Sequence, residues 1–264
     1  MKKILTLVFW VALVALVTSL FIFANAKQDS LVCPEFEIVV DYNHAPTLIT
    51  QSDIRQEITR EKIRVRGNEI GDIESVKIQK LLNRNPYIKE ATITIGVNGK
   101  VKAHILQRNP VVRVSDMNGT QFYMDNEGFV MPLSSEYAAR VVIANGHIKP
   151  IKKIRGLQSN DAGKKAYQQL PADLQKIYIA SMAVQRDSFT NAMVEQIYLN
   201  NTGDLELIPK IGRQTIVLGD TVEILSKLSK LKTFYTQGMK QNAWTQYKEI
   251  NLKYRNQVVC TKSL

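Results

Sequence analysis

Asn98-Gly99 stands between two runs of alternating side chains, Ala91–Val97 and Lys100–Gln107, and no other stretch restricts the fold as strongly. Asn-Gly in that setting is the strongest short-range signal for a β-hairpin, because both residues tolerate the positive φ of a tight turn. Upstream, a helix is expected to end before Pro86, since the residue preceding a proline is pushed out of the helical region. Downstream, Arg108-Asn109-Pro110 breaks the sheet and a second β region opens. The stretch from Leu82 to Pro132 therefore closes one small domain and opens another. It carries no catalytic constellation, which points to a scaffold rather than an enzyme.

Ahead of the hairpin, Phe36, Ile38, Val40 and Tyr42 alternate with Glu37, Val39 and Asp41, as in a strand with one buried face. Thr50 and Asp53 form a capping-box pattern for a short helix carrying Ile54 and Ile58. Asp72 is placed to cap a second helix with Ile78, Leu81 and Leu82 on one face. The order is β-α-α-β-β, with two helices expected to cover one face of a three-stranded sheet. Exposed edges of such a sheet are docking places for added strands.

Beyond Arg108, short apolar runs alternate with Asn and Gly turns at Asn118-Gly119, Asp125–Gly128 and Asn145-Gly146, which predicts an antiparallel sheet. Strands are expected near Val112–Val114, Gln121–Met124, Ala138–Ala144, Val194–Leu199, Leu205–Ile208, Thr215–Leu218 and Tyr247–Thr261, with a basic loop over Ile151–Gly163. Pro171 opens a helix with Leu174, Ile177, Tyr178 and Met182. Asp220 is placed to cap another, with Val222, Leu225, Leu228 and Leu231 at three-residue spacing and lysines 227, 230 and 232 late in the helix. Trp244 is expected to pack beneath that helix.

The chain begins with Lys2-Lys3 and an uncharged run from Ile4 to Ala24. As a helix that run spans about 31 Å, one hydrocarbon core. Two readings fit. Ala24-Asn25-Ala26 suits a signal-peptide cleavage site, but the run exceeds the usual signal-peptide length, which favours an uncleaved anchor with its positive end in the cytoplasm. Either way the remainder is exported. Export permits a Cys33–Cys260 disulfide, although two separate thiols satisfy the sequence as well.

The net charge of +11 is spread along the chain without a dense basic run, which argues against nucleic acid. His44, His104 and His147 lack zinc-ligand spacing, and no nucleophile elbow, P-loop or dinucleotide motif is present. Asp125 and Glu127 suit turn chemistry better than a paired-acid mechanism. No cofactor, metal or small-molecule substrate is expected, and the fold class is α+β.

In order and spacing, the chain resembles the FtsQ/DivIB cell-division family, most closely its Bacteroidetes form. The resemblance rests on Asn85-Pro86-Tyr87-Ile88-Lys89-Glu90-Ala91, Gln107-Arg108-Asn109-Pro110-Val111, Phe122-Tyr123-Met124-Asp125 with Gly128, and Met131-Pro132-Leu133-Ser134. It continues through Gly212-Arg213 to Leu218-Gly219, Trp244, and Ile250-Asn251-Leu252-Lys253-Tyr254-Arg255. It implies a short cytoplasmic tail and transmembrane helix over residues 1–26, a POTRA-like module over 35–107 and a larger C-terminal β domain over 108–264. It further implies a non-enzymatic scaffold of the inner membrane, whose partners are FtsB- and FtsL-like proteins, other divisome components and the lipid bilayer. In the family the last strand receives the partner at an arginine-tyrosine pair. Lys253-Tyr254 occupies that place here, and lysine lacks arginine's planar fork. Leu252, Lys253, Tyr254, Arg255 and Asn256 are accordingly the expected partner-binding residues. Alternation alone also fits a core-facing Tyr254; the resemblance favours the interface. Two other functions are open to such a chain, an exported POTRA-type assembly factor and a cell-envelope hydrolase. Neither repeated modules nor a candidate catalytic acid supports them.

Overall fold

A computed structural model describes residues 2–134, 137–151, 166–239 and 246–263. The chain forms two compact units, Met1–Asn43 with Ile49–Gln107, and His44–Leu48 with Arg108–Leu264.

The first unit opens with helix α1, Lys2–Asp29. Leu7 and the residues from Phe9 to Phe21 are all exposed along it. Among the described residues, no helix is long and apolar enough to cross a membrane, so the transmembrane segment expected over Ile4 to Ala24 is not carried by the structure itself. After α1, the backbone of Leu31 and Cys33 is fastened to the 67–70 segment, with Cys33 N–H donating to Asn68 O at 2.8 Å and Ile70 N–H to Leu31 O at 2.9 Å.

The order β-α-α-β-β follows. Strand β1 (Phe36–Asp41), helix α2 (Gln51–Arg60), helix α3 (Ser75–Leu82), strand β2 (Ile88–Ile95) and strand β3 (Val101–Gln107) give a sheet ordered β1-β3-β2. The β1–β3 pair is parallel and β2–β3 antiparallel. Thr50 and Asp53 make both arms of the capping box of α2. Asp72 does not cap α3: it ends a 3-10 turn, and α3 starts after Glu74 with no side-chain cap. Ile54, Ile58, Ile78 and Leu82 are buried against Ile38, Ala103 and Ile105.

The hairpin at Asn98-Gly99 exists with a different turn. Gly96 N–H donates to Lys100 O and Gly99 N–H to Gly96 O, and only Gly99 takes positive φ (+76°). This is a longer loop closed by a bulge glycine, the next most frequent solution after the two-residue turn. Residues 116–120, 125–129 and 200–204 repeat it, each with an Asp or Asn whose Oδ1 accepts the N–H groups two and four residues on.

The second unit is built on strands β4 (Pro110–Ser115), β5 (Gln121–Asp125), β6 (Val130–Pro132), β7 (Val142–Gly146), β8 (Val194–Leu199), β9 (Leu205–Pro209), β10 (Thr215–Gly219), β11 (Tyr247–Asn251) and β12 (Val259–Lys262). Their order is β12-β11-β10-β9-β8-β7-β4-β5-β6. The sheet is mixed, not purely antiparallel: β4–β7, β7–β8 and β10–β11 are parallel. Parallel neighbours need a crossover. Helices α4 (Ala172–Arg186) and α5 (Ser188–Met193) lie between β7 and β8 in sequence, and α6 (Ile224–Thr233) lies between β10 and β11. Buried residues of α4 and α6, among them Leu174, Ile177, Leu228 and Leu231, pack with Val112, Ile197, Leu207, Ile216 and Ile250 of the sheet. Arg113, Gln196, Tyr198 and Glu206 alternate with these strand residues and are half-exposed.

Two further expectations change. The single strand over Tyr247–Thr261 is a hairpin of β11 and β12 around a loop. The buried stripe of α6 is Ile224, Lys227, Leu228 and Leu231, whereas Val222 and Leu225 are exposed. Val222 precedes the helix, and a strict three-residue spacing drifts around a helix of 3.6 residues per turn, which carries Leu225 off the face of Leu228 and Leu231. Trp244 and residues 152–163 lie outside the described residues. Cys33 is buried, Cys260 is half-buried, and both are free.

Candidate partner-binding site

The five expected partner-binding residues sit in the loop between β11 and β12, not on a strand. Leu252 enters it fully buried, and its N–H donates to Val217 O at 2.9 Å, extending the pairing of β11 with β10. Lys253 N–H donates to Asn251 Oδ1 at 3.1 Å. The Lys253 ammonium donates to Asp204 Oδ2 at 2.7 Å, and that hydrogen bond, with the Asp204 charge, raises the Lys253 pKa above the ordinary lysine value. Tyr254 turns outward at 50% exposure. Arg255 is exposed and makes no ion pair among the described residues. Asn256 takes φ +59°, a left-handed conformation that asparagine tolerates better than most residues.

Helix α6 lies alongside this loop. Lys230 Nζ donates to Leu252 O at 3.2 Å and to Tyr254 O at 2.5 Å, and approaches Gln257 O at 3.5 Å. Lys227 is almost fully buried and donates to the Asp220 carboxylate at 2.6 Å and to the Asp220 carbonyl at 2.9 Å. The Lys227 hydrogen bond is the largest cause holding the Asp220 carboxyl below its ordinary range. A cavity of about 360 Å³ lies between helix and loop, lined by Val222, Lys230, Lys253, Tyr254 and Arg255 among others. A second groove of about 550 Å³ follows, with Ser229, Phe234, Gln237 and Val258 in its walls.

Among the described residues, strand β12 stands at one end of the nine-stranded order and pairs with β11 alone. Among the described residues no strand pairs with its other side, and a strand added there would bond to the N–H and C=O groups of that edge. Val259 is 42% exposed on it. The site thus combines an open edge with an aromatic and a cationic side chain in the loop that leads to it.

Asp125 is buried in its turn. Its Oδ1 accepts the Glu127 and Phe129 N–H groups, and its Oδ2 accepts from Arg108 at 2.9 Å. The Arg108 guanidinium lies 3.6 Å over the Phe129 ring. Burial is the largest influence on Asp125 and raises its pKa, while its bonds are those of a turn residue. Among the described residues, no group of three or more His, Cys, Asp or Glu side chains could hold a metal ion.

Residues 109–261 match the model of the FtsQ/DivIB, C-terminal related family. The chain belongs to the FtsQ/DivIB family. Residues 31–106 match a POTRA-like domain. The cell division protein FtsQ of Rhodothermus marinus is 22% identical to it over 197 residues, covering 73% of this chain and 67% of that protein. Membership of FtsQ/DivIB supports a role in cell division with protein partners of the division machinery. The loop from Leu252 to Asn256 and strand β12 up to Thr261 fall inside the stretch matched to FtsQ/DivIB. Sequence reasoning missed Lys230 and Asp204 as parts of this site. Lys230 contacts residues 22 to 27 positions away, and Asp204 lies 49 positions from Lys253, so no local pattern announces either.

Proposed function

We propose that the chain is a non-enzymatic division scaffold, held in the inner membrane by Ile4 to Ala24, that binds the periplasmic segments of FtsB- and FtsL-like proteins. On this reading residues 1–26 are tail and anchor, and residues 35–107 and 108–264 are periplasmic. The anchor rests on an uncharged run long enough, at about 31 Å, for one hydrocarbon core, with Lys2-Lys3 keeping the first end cytoplasmic. The partner takes a place beside β12 by strand addition and closes over Tyr254 and Arg255.

One observation carries the partner site: Tyr254, half-exposed, stands in the loop that leads directly into the open edge of β12. Main-chain hydrogen bonds to an edge supply affinity, and side chains beside it supply selectivity. Tyrosine and arginine are the residue types that most often dominate such interfaces. Leu252 serves the site from inside, as the buried root of the loop, and Asn256 supplies its left-handed corner.

The test is co-purification of the full chain with the FtsB- and FtsL-like proteins of the same organism, repeated with Tyr254→Ala and Arg255→Glu. Circular dichroism first establishes that both variants fold. Capture by the wild type, loss by the variants, and slower amide exchange over Val259–Lys262 in the complex are the expected results. Undiminished capture by both variants moves the interface elsewhere, and unchanged exchange on β12 removes strand addition.

A further inference from the structure

We propose that Lys230, on α6, is a positioning residue for the partner site: its ammonium fixes the backbone of the 252–257 loop, and the partner meets Tyr254 and Arg255 in the geometry so fixed. The inference rests on the loop being the partner site.

Three carbonyls, those of Leu252, Tyr254 and Gln257, converge on one nitrogen at 3.2, 2.5 and 3.5 Å. None of the three residues belongs to a strand or helix. An ammonium carries three donors and suits such a convergence of acceptors. Without it, the loop residues would regain part of their backbone freedom, and a partner would have to order the loop on binding. Other ties act on the first half of the loop: Leu252 N–H to Val217 O and Lys253 Nζ to Asp204. Lys230 reaches across to the second half, just before β12, where Val258 also packs against the core. The Lys230 nitrogen is turned to the carbonyls of its own chain, so the charge serves the loop backbone, while the half-buried side chain lines the cavity beside it.

Position and contact are separable by salt. A charge that meets a charged partner adds more to the salt dependence of association than one turned to its own backbone. The full chain in phospholipid nanodiscs is titrated with the FtsB- and FtsL-like proteins at several salt concentrations, for the wild type, Lys230→Met, Lys230→Arg, Arg255→Ala and Tyr254→Ala. Lys230→Met is expected to weaken binding about tenfold with a salt slope changed less than in Arg255→Ala. Lys230→Arg, which keeps several donors, recovers most of the loss. Amides of Tyr254–Val258 exchange faster in Lys230→Met before any partner is added. Full affinity in Lys230→Met despite faster exchange overturns the proposal and leaves the partner site standing. A salt slope reduced as much as in Arg255→Ala also overturns it, by making Lys230 a direct contact. If Tyr254→Ala and Arg255→Ala both bind as the wild type, the partner site itself falls, and the role of Lys230 falls with it. Should Lys230→Met fail to fold, Lys230→Arg decides: it is expected to stay within about threefold of wild-type affinity with the wild-type salt slope, and a larger loss or a changed slope overturns the proposal.

Discussion

Gly146 sits on the parallel seam between β7 and β8 with φ +104°, and a Cβ built there would overlap the Leu199 carbonyl oxygen. That oxygen already accepts the His147 N–H at 2.7 Å, so the backbone has no room to yield. Gly146→Ala is expected to cost about 3 kcal/mol, from positive φ and steric overlap together; chemical denaturation of the two proteins measures it, and a cost below about 1 kcal/mol contradicts it. At this scale the sequence is legible where the chemistry is local. Thr50 and Asp53 are three residues apart, and both arms of their capping box form. Asp125 reads as a turn residue and accepts two turn amides. Lys253 is legible as a match to the family's cationic position, but not as a charge already committed to Asp204. Its partner comes from the turn between β8 and β9, which only the folded sheet brings near.

Helix α6 shows what element-level reading captures and loses. Its existence and two of its buried leucines, Leu228 and Leu231, are evident from the sequence, yet Val222 falls before the helix and Leu225 off its buried stripe, because three-residue spacing does not match a turn of 3.6 residues. The same helix makes β10 and β11 parallel, a consequence that repeated turn residues alone do not suggest. Around it, Asp220 pairs with Lys227 and Asp187 with Lys232. Both carboxyls have their pKa lowered by the folded state, first through the lysine hydrogen bond. A group with a depressed folded pKa contributes stability above its unfolded value and loses it as pH falls through the folded one. Both carboxylates are largely open to solvent, so the effect is small. Asp220→Asn is expected to shrink the drop in melting temperature between neutral pH and pH below the ordinary carboxylate range. An unchanged or larger drop would show that the pair does not drive it.

Across the molecule, each unit has its own buried core, Ile54, Ile78 and Ile105 in one and Ile177, Leu207 and Ile250 in the other. Ile78→Ala removes a fully buried side chain and is expected to cost about 2–5 kcal/mol. Amide exchange should quicken over residues 36–107 and stay as before over 110–262; acceleration across both would show that they open as one. The β-α-α-β-β order was readable because its hairpin, caps and helix stops are near neighbours in sequence. The mixed nature of the large sheet was not, since β4 and β7 meet across a long excursion through β5 and β6. From β7 onward, though, chain order and sheet order coincide: each strand up to β12 is laid against the one before it. The strand on which the partner site is proposed is therefore the last of the described strands to leave the ribosome. A chain stalled, misfolded or cut before Val259 has no such edge to offer, so recruitment through β12 would be confined to molecules whose maturation is finished.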